Sequence, residues 1–226
     1  MKFKRYALYY APPEAEDWAQ FATSWLGWDM AAARAVAHPD LPVDVAKITQ
    51  TPRKYGLHAT IKPPFALAAG HDVDALHAAC AALCARLAPV TLDGLALERL
   101  GGFLALRPVG DQDQLNALAA ACVSGLDLFR APASQAELDK RRARGLSAVQ
   151  ERNLLDWGYP YLMDDFRFHI TLTGRLPKAQ RGPVLDLLDL HLVPLLPTPF
   201  VISDLALTGE DADGRFHLLH RYTLSG

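Results

Sequence analysis

Apolar and polar residues alternate strictly in two short segments, one in each half of the chain. In residues 57–62 every second position is Leu, Ala or Ile, and the same alternation returns in residues 166–173. A period of two residues predicts a β-strand with one apolar and one polar face. Pro63 and Pro64 follow the first segment, so we expect that strand to end before them.

Other periodic segments surround these two strands in a repeated order. Apolar spacings of three and four residues indicate helices at 14–25, 72–87, 111–129, 136–155 and 178–190. Short apolar runs bounded by Gly and Pro indicate further strands at 3–10, 90–97, 103–106, 200–207 and 216–224. Each alternating strand is therefore followed by a helix and then by a hairpin.

The two halves agree in spacing as well as in order. His58 lies 37 positions before Leu95, and His169 lies 36 positions before Leu205, where the triplet Leu-Ala-Leu recurs. A near-constant spacing is typical of an internal duplication. We predict a single α+β domain over residues 1–226, with lobes at about 1–110 and 111–226. Two antiparallel sheets with helices on their outer faces would surround a central cleft.

The composition supports a folded protein and narrows its partners. Half of the residues are hydrophobic, while 23 basic and 25 acidic residues give a net charge of −2. Without a basic excess, we expect no nucleic-acid partner. No apolar stretch is long enough to cross a membrane, and no signal-peptide pattern begins the chain, so we expect no membrane partner and a cytosolic location. Three cysteines, an odd number, predict reduced thiols.

The polar faces of the two alternating strands carry matching residues. His58, Thr60 and Lys62 share one face of the first strand, and His169 and Thr171 repeat the order in the second. A single His-x-Thr string is better explained by a histidine that is hydrogen-bonded within a sheet. Two such strings, each in an alternating strand before a helix and a hairpin, favour one shared site instead.

Two histidines and two threonines suit the cleavage of a phosphodiester without a metal. A neutral imidazole can take a proton from water, and a protonated imidazole on the other side can protonate the leaving oxygen. Thr60 and Thr171 would bind the non-bridging phosphate oxygens, and Lys62 would add positive charge. We therefore predict His58 and His169 as catalytic residues, with no metal and no other cofactor. Which histidine is the acid is left open.

The residues that carry this pattern resemble the two-histidine (2H) phosphoesterase superfamily. The resemblance rests on 55–65 (YGLHATIKPPF), 157–161 (WGYPY) and 168–174 (FHITLTG), and it is strongest to the branch encoded among phosphonate-utilisation genes. It implies a bilobal fold, catalytic roles for His58 and His169, and phosphate contacts from Thr60 and Thr171. It also implies a small-molecule phosphate ester as substrate, and we expect a cyclic phosphodiester of a nucleotide or a phosphorylated sugar.

Four further residues are candidates for contacts with the substrate. Thr173 follows Thr171 on the same predicted strand face. The aromatic residues Tyr6, Tyr159 and Tyr161 could stack on a base or ribose at the rim of the cleft, although aromatic residues in strands more often belong to the core.

Other polar clusters have simpler explanations. His77, Cys80 and Cys84 have a helical spacing that suits a metal, but both cysteines fall in an apolar stripe and we expect core packing. His217 and His220 should face opposite sides of a strand. The basic run 140–144 could form a lid over a phosphate, but acidic neighbours favour a solvated helix face.

Two other functions fit the same residues. A binding module could use the two histidines and two threonines to sense a nucleotide or phosphorylated sugar without cleaving it. An enzyme that processes RNA ends, as a phosphodiesterase or ligase, is disfavoured by the slightly acidic charge.

Overall fold

The computed structural model describes residues 3–226. The strands are β1 (Arg5–Tyr10), β2 (Trp28–Asp29), β3 (Arg34–Ala35), β4 (Ala59–Phe65), β5 (Val90–Leu92), β6 (Gly94–Leu100), β7 (Phe103–Val109), β8 (Ile170–Thr171), β9 (Phe200–Ile202), β10 (Asp204–Glu210) and β11 (Phe216–Thr223). The α-helices are α1 (Asp17–Leu26), α2 (Val45–Ile48), α3 (Val73–Cys84), α4 (Asp113–Gly125), α5 (Gln135–Arg142), α6 (Ala148–Trp157) and α7 (Arg181–His191).

Across residues 3–226, seven strands form one antiparallel sheet in the order β11-β10-β1-β4-β8-β7-β6. Two small sheets, β2 with β3 and β5 with β9, accompany it. The predicted α+β class with an antiparallel sheet is confirmed, but the prediction of two main sheets is wrong. The reason is that β4 and β8 pair with each other, with Ala59 opposite Ile170, and so join both sides into one sheet.

One hydrophobic core lies between the helices and one face of this sheet. The apolar faces of α1, α3, α4 and α7 contribute to it, together with inward-facing residues of the strands. Trp25 of α1, for example, is wholly buried and its indole N–H donates to the carbonyl of Leu172 at 2.8 Å. Because the helices cover one face of the sheet, the polar side chains of the central strands lie on the other face.

The order of the elements repeats along the chain. The series β1-α1-β4-α3-β5-β6 is followed by β7-α4-β8-α7-β9-β10, and β11 comes last. In the sheet, β6 from the first round pairs with β7 from the second, and β10 from the second round pairs with β1 from the first. The second round thus begins at Phe103, ahead of the predicted lobe boundary near residue 110. The division into two lobes at that boundary stays a prediction.

Several predicted elements differ in extent from the structure. The strand predicted over 166–173 is only β8, Ile170–Thr171. The single helix predicted over 136–155 is two helices, α5 and α6. Gly145 between them has φ of +73°, a conformation that ends a helix. Ser134 and Ser147 each accept a hydrogen bond in a capping box that begins the respective helix.

The strand that was predicted to end before Pro63 continues through both prolines to Phe65. A β-bulge accompanies them: Tyr9 of β1 is opposite Thr60, but its neighbour Leu8 is opposite Lys62. One extra residue of β4 therefore lies between these pairs. The two prolines fall in a second register shift, between the pairs Leu8–Lys62 and Tyr6–Phe65, and such irregular positions tolerate proline. The bulge shifts the alternation of side chains after Thr60. Within residues 3–226, none of the helices combines the length and apolar character needed to cross a membrane.

Candidate active site

The site lies where β4 and β8 meet at the centre of the sheet. Ala59 and Ile170 form the pair that joins these strands, and both are wholly buried in the hydrophobic core. Because side chains alternate along a strand, the residues on either side of this pair point to the opposite face of the sheet.

Four predicted site residues come together on that opposite face. The antiparallel register places His58 opposite Thr171 and Thr60 opposite His169. Opposed side chains on neighbouring strands have Cβ atoms about 5 Å apart. All four residues are partly exposed, whereas Ala59 between the first two is not. The two halves of the chain thus contribute a histidine and a threonine each to one accessible surface.

The ring of His58 is oriented by its own strand. Its Nδ1 lies 3.1 Å from the carbonyl oxygen of Gly56, and its Nε2 lies 3.3 Å from Oγ1 of Thr60. A carbonyl oxygen only accepts, so Nδ1 carries the hydrogen and Nε2 of the neutral ring holds the lone pair. The rings of Tyr9 and Tyr55 pack against this imidazole, with centroids 4.1 and 5.7 Å away.

The environment of His58 keeps its imidazole neutral. Burial beneath the two tyrosine rings lowers its pKa from the ordinary 6.5 to about 4, against a smaller raising effect from the carbonyl of Gly56. The positive charge of a protonated His169 lowers this pKa a little further, which also indicates that the two imidazoles lie within electrostatic range. At neutral pH, Nε2 of His58 is therefore available to accept a proton.

His169 has the same local arrangement as His58. Its Nδ1 donates to the carbonyl oxygen of Arg167 at 2.7 Å. Arg167 precedes His169 by two residues, just as Gly56 precedes His58 by two. Its Nε2 is consequently the nitrogen that is free to act at the site. The ring of Phe103, from β7, lies 6.0 Å from the imidazole. This recurring contact fixes both rings with Nε2 as the reactive nitrogen.

Lys62 is not part of this surface, contrary to the prediction from strand alternation. The bulge in β4 pairs it with Leu8, whose side chain lies in the core, and Lys62 is only 2% exposed. Its Nζ donates to the carbonyl of Val123 at 2.9 Å and lies 3.3 Å from Oδ1 of Asp127. Burial lowers its pKa to about 8 although Asp127 opposes this shift. Its role is therefore structural.

Tyr6 and Thr173 also lie away from the site. Tyr6 belongs to the hydrophobic core and packs against Phe3 at 6.2 Å between ring centroids. Tyr9 points to the face of β1 opposite to Tyr6, and it is Tyr9 that packs beside His58. Thr173 is buried, and its Oγ1 accepts a hydrogen bond from the backbone N–H of Leu104 at 3.0 Å. Neither predicted substrate contact is available.

Tyr159 and Tyr161 form a small aromatic group that follows α6. Their ring centroids are 5.7 Å apart, and the guanidinium of Arg141 lies 4.6 Å from the centroid of Tyr159. Burial raises the pKa of Tyr159, which is also within electrostatic range of Tyr55 beside His58. Tyr161 is exposed. Their contact with a substrate stays a prediction. The basic run that contains Arg141 was expected to be a solvated helix face instead of a lid, and α5, which carries most of it, has no buried residue.

One residue of the site surface was missed in the sequence. Ala105 of β7 is opposite Thr171, so the same register places Arg107 beside His169. Its Nε is buried and has no hydrogen-bond partner among residues 3–226, while its Nη1 lies 3.7 Å from Oε2 of Glu98. The predicted strand 103–106 ended three residues before the end of β7 and so did not include Arg107. Extending its alternation by one step would have placed Arg107 on this face.

The alternative metal cluster is absent from the described part of the chain, which contains no group of three candidate metal ligands. Cys80 and Cys84 are buried in the core, and burial raises their pKa values to about 12 and about 11. Nδ1 of His77 lies 2.7 Å from the hydroxyl of Tyr222. The core packing predicted for the two cysteines is confirmed.

The two other histidines considered from the sequence have structural neighbours. Nε2 of His217 lies 2.7 Å from Oδ2 of Asp211, and its ring packs edge-on against Trp28. The ring of His220 packs against His77, with centroids 4.7 Å apart.

Comparisons with known proteins identify related sequences. The family described as "Protein of unknown function (DUF1045)" matches residues 60–217. A protein of Janthinobacterium sp. (strain Marseille) named "Ribose 1,5-bisphosphate phosphokinase PhnN" is 36% identical over 218 residues, which are 93% of this chain and 48% of that protein. A protein of Laribacter hongkongensis (strain HLHK9) with the same name is 41% identical over 177 residues, 77% of this chain and 41% of that protein. The chain thus spans about half the length of these curated relatives.

Solved structures with similar coordinates are more distant. TT0787 of Thermus thermophilus is 18% identical, with a TM-score of 0.48 and 98% of each chain covered. E. coli LigT complexed with 3'-AMP is 16% identical, with a TM-score of 0.46 and all of each chain covered.

Proposed function

The chain belongs to the DUF1045 family, whose description assigns no activity, and we propose that it is a phosphoesterase that hydrolyses a cyclic phosphodiester. The observation that carries this proposal is the pairing of β4 with β8. It puts His58 and His169 on one accessible face, each with a threonine opposite it on the neighbouring strand. Two titratable groups on one face of the sheet, with a hydroxyl opposite each of them, fit general acid–base cleavage of a phosphodiester.

The hydrogen bonds of the two histidines and the low pKa of His58 support one distribution of the roles, which we adopt. His58 is the base: its Nε2 takes a proton from water while the water oxygen forms a bond to phosphorus. His169 is the acid: the bond from phosphorus to the ring oxygen breaks, and Nε2–H of His169 protonates the alkoxide that leaves. The net reaction adds one water and converts the cyclic diester into a phosphomonoester and a hydroxyl. Solvent returns the proton from His58 to His169.

The two threonines complete the site. A hydroxyl can donate one hydrogen bond to a non-bridging phosphate oxygen, and these bonds strengthen as negative charge develops in the transition state. Oγ1 of Thr60 also lies 3.3 Å from Nε2 of His58. Once His58 has taken the proton, Oγ1 can accept a hydrogen bond from Nε2 while the hydroxyl donates its own hydrogen to the phosphate. The reaction in this form needs no metal. The two imidazoles transfer the protons, and the threonine hydroxyls stabilise the negative charge that develops on the phosphate.

A phosphorylated sugar is the substrate class that the relatives support. Both curated relatives have names that describe a kinase of ribose 1,5-bisphosphate, and this chain corresponds to about half of each. We therefore place a cyclic phosphate of a phosphorylated ribose ahead of the cyclic nucleotides among the substrates to be tested, within the metabolism of phosphonates.

The test is hydrolysis of a panel of cyclic phosphates, with and without a chelator. The panel contains ribose cyclic phosphates and nucleoside 2',3'-cyclic phosphates, and phosphomonoester formation is measured by ³¹P NMR. We expect His58→Ala and His169→Ala to lower kcat/KM by about 10²- to 10⁴-fold, the usual contribution of a general acid or base. His220→Ala is the matched control, because His220 contacts His77 and Tyr222 instead of the site.

Each alternative outcome has a distinct signature. Saturable binding of a cyclic phosphate without any product would indicate a sensor. Cleavage that is restricted to RNA ends, with strong salt dependence, would indicate an RNA-processing enzyme. Full activity in both histidine variants, or loss of activity with chelator alone, would refute the proposed mechanism.

A further inference from the structure

The site surface has two different flanks. On the β1 side, the wholly buried Tyr9 and the neighbouring Tyr55 form an aromatic wall against His58. On the β7 side, beyond His169 and Thr171, the surface carries the charged pair Arg107 and Glu98. The two histidine–threonine pairs occupy equivalent positions in the repeated order of elements, but the residues around one pair differ from those around the other. A substrate that fits this surface therefore has two chemically different ends.

Arg107 lies on the site face and leans along β7 toward Ala105 and toward Glu98 of β6. Glu98 is paired with Ala105 across β6 and β7, and Ala105 is paired on its other side with Thr171. To bring its Nη1 within 3.7 Å of Glu98, the side chain of Arg107 must extend over Ala105. The guanidinium thus stands one strand beyond Thr171, on the same face as the four proposed catalytic and phosphate-binding residues.

The hydrogen-bonding capacity of Arg107 is largely unused. A separation of 3.7 Å is too long for a hydrogen bond, and Nε is buried without a partner in the part of the chain that the structure describes. Within residues 3–226 the terminal nitrogens face only Glu98, at 3.7 Å, so they can donate to a ligand that approaches over the site face. Glu98 is 45% exposed and can turn to solvent, whereas Arg107 is 23% exposed and is held at the site.

The chemistry of a guanidinium identifies the ligand. Its planar donors match the oxygens of a phosphate group and bind them in a bidentate manner. The cyclic phosphate already has two imidazoles and two hydroxyls at β4 and β8. Arg107 lies beyond these groups and on one side only, so it matches a second anionic group of the same molecule.

We propose that the substrate carries a second phosphate, a phosphomonoester on the sugar that bears the cyclic diester, and that Arg107 binds it. This inference rests on the proposed function and adds the substrate class and its direction across the site. The second phosphate lies on the β7 side, next to the acid His169, and the uncharged part of the sugar lies on the β1 side, against the partly exposed ring of Tyr55. Hydrolysis then yields a sugar with two phosphomonoesters, a product suited to an enzyme that acts on sugar bisphosphates.

The test compares two ribose cyclic phosphates that differ only by a phosphate on the C5 oxygen. The parent protein should have a kcat/KM about 10- to 100-fold higher for the compound with the extra phosphate, the range for a hydrogen-bonded charge pair. Arg107→Gln should bring the ratio of the two kcat/KM values close to one, and Arg107→Lys should keep part of it. Arg99→Gln is the control, because Arg99 is exposed and points to the opposite face of β6.

Other outcomes separate this inference from the proposed function. A ratio near one in the parent, or an unchanged ratio in Arg107→Gln, would overturn the inference while leaving cyclic phosphate hydrolysis in place. If Arg107→Gln does not fold, Glu98→Gln replaces it, and removal of the competing carboxylate should raise the ratio. If neither compound is hydrolysed, the proposed function fails. Calorimetry with inorganic phosphate then decides: equal affinity of parent and Arg107→Gln, or no binding, overturns the inference as well.

Discussion

The low pKa of His58 makes the stability of the whole protein depend on pH in a defined window. An unfolded chain binds a proton at this histidine below about pH 6.5, whereas the folded chain binds it only near pH 4. Between these values the unfolded state holds more protons than the folded state. The free energy of unfolding must therefore fall as the pH is lowered from about 6.5 to about 4, and it is unaffected by His58 above this window.

The size of the effect follows from the two pKa values. At pH 5, the unfolded histidine is almost fully protonated and the folded one almost fully neutral, which corresponds to about 2 kcal/mol of unfolding free energy. Because His58 keeps part of its surface in contact with solvent, the desolvation that causes the shift is weakened. We therefore expect a loss of about 1 to 2 kcal/mol between pH 7.5 and pH 5.

Urea denaturation of the parent and of His58→Gln at both pH values measures this contribution. Carboxylates and other histidines also titrate in this range, but they do so in both proteins, so the difference between the two losses belongs to His58. The parent should lose about 1 to 2 kcal/mol more than the variant on acidification. Parallel losses would show that the imidazole is solvated and would remove the argument that it is neutral because of burial.

Three further predictions concern other parts of the structure. The acid limb of kcat/KM should lie near pH 4, so lowering the pH from 6 to 5 should not reduce hydrolysis, and an acid limb near pH 6.5 would contradict the assignment of His58 as base. Asp127→Asn leaves the ammonium of Lys62 buried without its counter-ion and should cost about 2 kcal/mol in urea denaturation without changing kcat/KM. The three cysteines are buried, and burial raises their pKa values, so a disulfide reagent such as DTNB at pH 8 should label none in the native protein and all three after unfolding. Rapid labelling of the native protein would show that the core opens.

Much of the site could be predicted because its signal is local. The alternation around His58 and around His169 places each histidine and its threonine on the polar face of a strand, and that face depends only on the two-residue period of the strand. The pairing of these two strands with each other was not predicted, because each strand was assigned to a sheet of its own. Four of the five residues first assigned to catalysis or phosphate binding share one face in the structure.

The remaining features depend on contacts between distant parts of the chain. Lys62 lies outside the site because β4 has one extra residue relative to β1. The register of that pairing cannot be predicted from the sequence of either strand alone. The single sheet arises from one residue pair between β4 and β8. Arg107 is recognised only once β7 is seen to lie beside β8, since neither its neighbours in sequence nor its charge distinguishes it from a surface arginine.

Because strands from the two rounds of elements pair with each other, neither half of the chain can form its part of the sheet completely on its own. A cut in the turn at Gly101 would leave β6 without β7 in one fragment and β10 without β1 in the other, each with an open sheet edge and half of the histidine pair. Neither fragment can bring two imidazoles to one phosphate, so recovery of activity on mixing them would coincide with reassembly of the sheet. In this architecture the surface that carries both histidines forms only when the seven-stranded sheet is complete.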